Sequence, residues 1–384
     1  MLWSFRLELK QSLRTKKFWI IVLIMMVLYL PVLYGIKASG EFFGKGYTEE
    51  YLVSSLINAV KGMVGFFVSI LALLLGATAI NSEVEKGTIR IAISKPITRA
   101  GYILGKILAN TVILALAILL SSLVAVFGIK YLGIDLTTSL LRDTILMNLV
   151  LLLAMIQLLA LGYLLSTMIK SSSGAMGAAL VLFFLLALIS PALVEYKAYI
   201  DAEKVVEKKL GPIEVPQLNG NITEEEWTAY EEKMKLLEAE RQRLSREYKT
   251  EFLFFNPNAQ LNIIFGNLSK LEHVVVRNVT YYKATELGTP DYSSGPVKVE
   301  VNVTKGEGYC SGGSTSAGRE FTEQTFTGSE YYVAVIKEEC TITYSYQGVA
   351  YSVSRNILNL GILAAMTFVY LGLAVFRFGK IDLR

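Results

Sequence analysis

Residues 81–106 read NSEVEKGTIRIAISKPITRAGYILGK, a charged segment between two long apolar runs. One run ends near Ile80 and the next begins near Tyr102. The segment carries Glu83, Glu85, Lys86, Arg90, Lys95, Arg99 and Lys106. An ionised side chain at the middle of a bilayer costs at least about 2.5–3.5 kcal/mol, so this density of charge excludes the hydrocarbon core. A loop at one membrane face is expected, and its cations assign it to the cytoplasmic side. Asn81 or Ser82 is positioned to cap a short helix, with Glu83 and Glu85 in a first turn where the helix dipole favours acid. Gly87 permits a turn, Pro96 breaks the weakly alternating stretch 88–94, and Thr98 is placed to cap the next helix. Together these pieces make a compact, partly apolar protrusion suited to docking into a soluble partner.

The surrounding chain has 384 residues, of which 53% are hydrophobic, with mean hydropathy +0.46. That is too apolar for a soluble protein with one core and places the chain in the membrane class. The net charge is only +4, and no Lys/Arg tract resembles a stripe for nucleic acid, so no nucleic-acid partner is expected. A cleavable signal is not expected either, because the first apolar run is long and lacks a small-residue cleavage site.

The fold class that emerges is mainly α, a polytopic membrane protein with six transmembrane helices and a large external α+β domain between spans five and six. Residues 1–17 read as a basic amphipathic elbow or as a plain positive-inside anchor, with Leu2, Phe5, Leu9 and Leu13 at helical spacing. Residues 18–194 hold spans one to five, at about 18–36, 52–80, 102–129, 143–169 and 174–194, with the cytoplasmic loop at 81–101. Small residues Gly174, Ala175, Gly177, Ala178 and Ala179 at the inner end of span five allow close helix packing. Residues 356–384 hold span six and a basic tail. Lys and Arg in the short segments favour the inner face by about threefold, which puts both termini in the cytoplasm.

Residues 195–355 are then external. Residues 196–210 read as a charged helix ended by Gly211-Pro212, and Thr223 opens a second one with Glu226 in capping-box register. Trp227, Tyr230, Met234, Leu237, Arg241, Leu244 and Tyr248 form its stripe, and Asn256-Pro257 interrupts it. From Val274 onward, runs at 274–276, 297–303, 331–336 and 341–346 predict a small antiparallel β unit. Cys310 and Cys340 lie in it as a disulfide or as two free buried thiols; an oxidising exterior favours the bridge, which would close a loop of about 30 residues and stabilise by about 3–4 kcal/mol. The N-x-S/T sequons at Asn221, Asn267, Asn278 and Asn302 all fall in this segment, as candidate glycosylation sites on an external domain.

Catalytic chemistry is sparse. No G-x-x-x-x-G-K-[ST] run occurs; residues 40–46 and 101–106 lack the spacing or the hydroxyl. The single histidine, His273, is expected to pack or hydrogen-bond at the helix-to-β junction rather than act in a triad. No metal-ligand spacing appears. Asn58, Asn110, Asn148 and Gln157 supply the polar content of the spans and suit interhelical hydrogen bonds. Carriers driven by ion gradients place carboxylates or broken helices at mid-membrane, and neither is evident here, so the work is expected to come from outside the chain.

The run E-x-E-K-G-T-I-R-x-x-x-S-K-P-I-T-R-x-x-Y-I-L-G-K resembles the first cytoplasmic loop of type-2 ABC exporter permeases, with Glu83, Glu85, Gly87, Thr88, Ser94, Pro96, Arg99, Gly105 and Lys106 at matching positions. The resemblance covers residues 1–194 and 356–384, not the external segment. It implies a permease subunit without its own ATPase site, coupled through Glu83, Glu85, Lys86, Gly87, Thr88, Arg90, Pro96 and Arg99 to a separate ABC ATPase that holds ATP and magnesium. It further implies a second permease copy or a paralogue beside it in the lipid bilayer. The chain itself is expected to carry no cofactor. A reading of another class is a non-transporting receptor or scaffold that works through its external domain.

Overall fold

The computed structural model describes residues 2–14, several positions between 18 and 34, and 49–88, 98–131, 137–213, 224–285, 289–307, 316–327 and 330–380. The described chain is mainly helical. It begins with α1 (Leu2–Arg14), α2 (Glu49–Met63), α3 (Ser69–Thr78), α4 (Asn81–Glu85), α5 (Arg99–Tyr131) and α6 (Thr138–Met168). There follow α7 (Ser172–Phe184), α8 (Ser190–Leu210), α9 (Glu224–Phe252) and α10 (Pro257–Ile264). Strands β1 (Ser269–Lys283), β2 (Lys298–Glu307), β3 (Ser316–Thr327) and β4 (Glu330–Tyr346) precede α11 (Val349–Arg355) and α12 (Ile357–Lys380).

Among the described residues, 5 helical stretches are long and apolar enough to cross a membrane: Ile57–Glu85, Arg99–Gly128, Thr138–Met168, Ser172–Leu210 and Ile357–Lys380. They correspond to the expected spans two to six. The expected first span, 18–36, lies largely outside the described residues. The fourth-span helix starts earlier than the sequence suggested, because Thr137 caps it by accepting the Leu140 N–H and draws residues 138–142 into its first turns.

The chain forms two compact units. The first comprises Met1–Val215, Glu232–Leu268 and Gln347–Arg384; the second comprises Pro216–Glu231 and Ser269–Tyr346. The helices α8, α10 and α11 thus belong to the unit that holds the spans.

The first unit is built around the crossing of α3 and α6. At Gly76 an added Cβ would stand 2.4 Å from the Leu159 carbonyl oxygen, and at Gly162 it would stand 2.5 Å from that of Leu73. Only hydrogen at both positions lets the two backbones touch, which is how helices associate where lipid removes the hydrophobic drive. The small face expected at the start of span five is used in part. Ala175 and Ala179 are fully buried, whereas nothing lies within 4 Å of a Cβ placed on Gly177.

Span five does not stop at residue 194. The helix runs from Ser172 to Leu210 through a π-helical turn at Leu185–Ile189. Pro191 follows that turn and has no N–H to donate, so a carbonyl one turn back loses its partner. Asn256 supplies the replacement: its Nδ2 donates to the Leu186 oxygen at 2.7 Å and to Ser190 Oγ at 3.1 Å. Beyond the apolar part, α8 packs on α9, with Ala198, Ala202 and Val206 against Leu237 and Leu244. The expected stripe on α9 holds at Leu237, Leu244 and Tyr248, while Met234 is exposed.

Asn256 also caps α10, accepting the Asn258 and Ala259 N–H groups ahead of Pro257. This short helix is nearly all buried and is held by side-chain amides and hydroxyls. Ser69 Oγ of α3 donates to Asn258 Oδ1 at 3.4 Å, and Asn359 Nδ2 of α12 donates to Gln260 Oε1 at 3.0 Å. Gln157 Nε2 of α6 donates to the Phe255 oxygen at 2.9 Å, in the turn before it. Asp143, read from the sequence only as the start of span four, is 3% exposed, and its Oδ2 accepts the Val349 N–H at the start of α11.

The second unit is an antiparallel sheet of order β2-β1-β4-β3. Val276 lies opposite Val303 on one side and Glu339 on the other, and Val279, Ala334 and Ile336 form its buried cluster. The two expected runs at 331–336 and 341–346 are one strand, since the charged residues between them continue the pairing. Strand β3, SAGREFTEQTFT, was not expected, because its apolar residues are too few to mark it. His273 sits in β1 opposite Gly306, where its ring covers the glycine. No described cysteine is free; Cys340 is nearly buried on β4, and Cys310 lies outside the described residues.

The backbone contact predicts a contrast. Gly162→Ala should lower the thermal stability of the purified protein by about 1–3 kcal/mol, because two helix backbones must separate. Gly177→Ala should leave the melting temperature unchanged or slightly raised. Equal melting curves for the two variants would remove the α3–α6 crossing from its central place.

Candidate functional site

The charged loop begins where α3 ends, one turn past the glycine crossing. Ile80 and Asn81 would each leave an N–H unpaired there. Neither Asn81 nor Ser82 caps α4, contrary to expectation. Both N–H groups donate instead to Ser166 Oγ of α6, at 3.1 and 3.2 Å. Ser82 turns back to donate to the Thr78 oxygen at 2.6 Å, and Asn81 is 3% exposed. The crossing that brings α3 against α6 at Gly162 therefore also supplies, one turn on, the hydroxyl that starts α4.

The central feature is Lys106, on α5 and 3% exposed. Its Nζ lies 2.6 Å from Glu8 Oε2 of α1 and 2.8 Å from Glu83 Oε1 of α4, and both carboxylates are largely buried. The Tyr102 hydroxyl donates to the other oxygen of Glu83. One ammonium thus joins three separate chain segments. A buried ion holds its place only when its charge and hydrogen-bonding capacity are met locally, and here two carboxylates meet both. One turn farther along α5, Asn110 Nδ2 donates to Tyr163 Oη at 2.9 Å and Asn110 Oδ1 accepts from Ser12 Oγ at 3.4 Å. The polar seam therefore repeats, linking α1, α5 and α6.

The remaining loop residues divide by direction. Glu83 faces inward. Glu85, Lys86, Gly87 and Thr88 are exposed, and Gly87 makes the turn with φ +70°. Glu85 Oε1 accepts the Ser172 N–H at 2.7 Å, which ties α4 to the start of α7, and Thr88 Oγ1 donates to the Glu83 oxygen at 3.3 Å. Arg90 and Pro96 lie outside the described residues. Thr98 caps α5 as expected, accepting the Gly101 N–H at 3.1 Å. Arg99 is exposed and donates to the Gly379 oxygen at 3.2 Å, beside Tyr102 stacked on Phe378 with ring centres 6.2 Å apart. Both contacts hold the start of α5 and the end of α12 together.

The sequence reading included Lys106 in the loop but missed Glu8 and Ser166. The only signal for Glu8 was an acid at a helical position in an otherwise basic elbow. Among the described residues, no group of His, Cys, Asp and Glu is placed to hold a metal ion. The arrangement is mechanical: a short surface helix is fastened to α1, α5, α6 and α7 by ions and hydrogen bonds.

A family model described as "ABC-2 family transporter protein" matches residues 2–383. Two relatives are each described as "Probable ABC transporter permease protein NosY". The one from Stutzerimonas stutzeri is 32% identical over 187 residues, covering 48% of this chain and 65% of that protein. The one from Pseudomonas aeruginosa is 31% identical over 189 residues, covering 48% of this chain and 66% of that protein. The matches thus span just under two thirds of each relative's length. The chain belongs to the ABC-2 transporter family.

Removing the ammonium should be costly. Lys106→Met leaves two carboxylates buried without their cation, and a loss of about 3–5 kcal/mol in thermal or denaturant stability is expected. Adding Glu83→Gln and Glu8→Gln should return part of it. If the triple variant melts below the single one, the carboxylates are not held there by Lys106.

Proposed function

We propose that this ABC-2 family protein is the transmembrane permease subunit of an ATP-driven exporter. A separate ABC ATPase binds ATP and magnesium and docks at the cytoplasmic face against α4 and the segment that follows it. The observation that carries this reading is the fastening of α4 through Glu83 and Lys106 to α5 and, through Glu8, to α1. A surface helix of only five residues would deform under a load. Bound in this way, it passes displacement to several spans at once.

In this reading the contact surface is Glu85, Lys86, Gly87, Thr88, Arg90, Pro96 and Arg99, whereas Glu83 acts behind it as a strut. The exposed side of α4 meets the ATPase, and closure of paired ATPases pushes it inward. The spans then shift to open a path toward the outside. Two permeases, identical or paralogous, sit side by side over two ATPases.

The membrane topology belongs to the same proposal. The chain crosses six times with both termini cytoplasmic, and residues 195–355 face outward. Cys310 and Cys340 then meet an oxidising space suited to a bridge. Asn221, Asn267, Asn278 and Asn302 face the side on which sequons are modified in hosts that glycosylate. Hydrolysis stays with the partner, since this chain has no phosphate loop. Lipid-facing area is plentiful: only 22% of the most apolar window is buried in the fifth- and sixth-span helices, against 56% for the second and fourth.

The test is a variant with Lys86→Ala and Arg90→Ala together, which leaves the Glu85 tie to α7 in place, co-expressed with its ATPase. The expected protein inserts, melts like wild type, and fails to co-purify with the ATPase or to stimulate its hydrolysis. Undiminished co-purification and stimulation would reject the docking surface. A maleimide reaching Lys86→Cys and Glu300→Cys from the same side of sealed vesicles would reject the topology.

A further inference from the structure

A pocket of about 290 Å³ opens on the first unit where α8, α9 and the end of α10 meet. It lies at the height where apolar surface gives way to charge. The apolar run of the fifth-span helix ends at Val194, and Glu195 lines the pocket. Leu193 is exposed just before it, and Tyr196 and Tyr199 are exposed just after it. Exposed tyrosines at such a boundary mark the headgroup level of a bilayer.

The lining brings together Glu195, Glu238, Arg241, Arg246, Lys249 and Asn262. Both acids are already engaged. Glu195 accepts from Lys249 and from Ser245, the latter at 2.8 Å. Glu238 accepts from Arg241 at 3.0 Å and from Gln242 at 2.8 Å. Lys249 and Ser245 hold the Glu195 carboxylate in its charged form without consuming the third cation. Among the described residues, Arg246 makes no ion pair and the Asn262 side chain makes no hydrogen bond. The pocket thus keeps one uncommitted guanidinium and one uncommitted carboxamide, beside two cations whose charge is balanced.

We propose that this pocket binds a phosphate group, supplied by a phospholipid headgroup at the membrane boundary or by free phosphate. Planar guanidinium groups match phosphate oxygens in pairs, and Asn262 adds a neutral donor. A volume near the lower limit of ligand sites admits a headgroup and leaves the acyl chains along the apolar flank of span five. The inference needs only that the spans cross a bilayer. It does not depend on ATPase coupling at the other end of the bundle.

The full-length protein, purified in detergent, would be melted against increasing dioleoylphosphatidylglycerol and, separately, inorganic phosphate. The variants are Arg246→Gln, Asn262→Asp and Lys235→Gln, the last removing an exposed α9 cation outside the pocket. Lipid should raise the wild-type Tm, and the concentration needed should increase about tenfold in Arg246→Gln and in Asn262→Asp, as for loss of one charge-assisted hydrogen bond. Lys235→Gln should behave as wild type. The same Arg246-dependent shift from inorganic phosphate, with nothing added by lipid, supports the pocket and assigns free phosphate as its source. No shift with either probe, or a shift that survives in Arg246→Gln and Asn262→Asp, overturns the proposal. Loss of the shift in Lys235→Gln to the same extent also overturns it, since general attraction would then explain the effect. Intact ATPase coupling alongside any of these failures would leave the functional reading standing.

Discussion

A polar group inside an apolar bundle must find its partner within the protein, because lipid offers none. That constraint organises this molecule. Lys106 is held between Glu8 and Glu83. The Ile80 and Asn81 N–H groups end on Ser166. The carbonyl left open by Pro191 is taken by Asn256. In each case the donor and acceptor come from segments far apart in sequence, so meeting the requirement locally fixes which helices are neighbours. The glycine crossing of α3 and α6 makes this possible, since Ser166 reaches the start of α4 only because Gly76 and Gly162 let the backbones touch.

Much of this was legible in the chain. Charge density between apolar runs marked the loop at 81–106, and hydropathy located spans two, three, four and six to within a few residues but stopped span five at 194, short of the helix end at Leu210. Thr98 announced its cap, because a polar residue before a helix has a fixed local job, whereas Asn256 was read only as a break in the chain. What escaped was non-local. Gly76 and Gly162 look like any glycine in an apolar run until the facing backbone is known. Glu83 sits in a five-residue helix, too short for periodicity to say which way it points. Its partner Lys106 was visible, but Glu8 lies 98 positions from that lysine. The helix α10 was missed because it is short and opens on a proline, and it is held by amides on α6 and α12 and a hydroxyl on α3. The strand β3 is too polar to declare itself and forms only because β4 offers it an edge.

The same contacts explain why a small helix can serve as a mechanical part. In the proposed function, stability and transmission would draw on the same bonds. A salt bridge at a water-exposed surface contributes little and yields easily. One with its ammonium 3% exposed and two carboxylates in reach resists separation, because any parting leaves charge without compensation. In the proposed complex, α4 would therefore move together with α1 and α5 rather than swing alone.

The unbroken helix from Ser172 to Leu210 carries a further consequence. Its start is tied to α4 through Glu85, its middle is pinned at the π turn by Asn256, and its end is packed on α9. At 1.5 Å per residue the arm before the π turn's pivot is about 22 Å long and the arm after it about 35 Å. Such a rod, tilted about that fulcrum, sweeps its far tip roughly 1.5 times as far as its near one, and in the opposite direction. In the proposed cycle such a helix would act as a lever, with the asparagine at its pivot setting the ratio of the two arms.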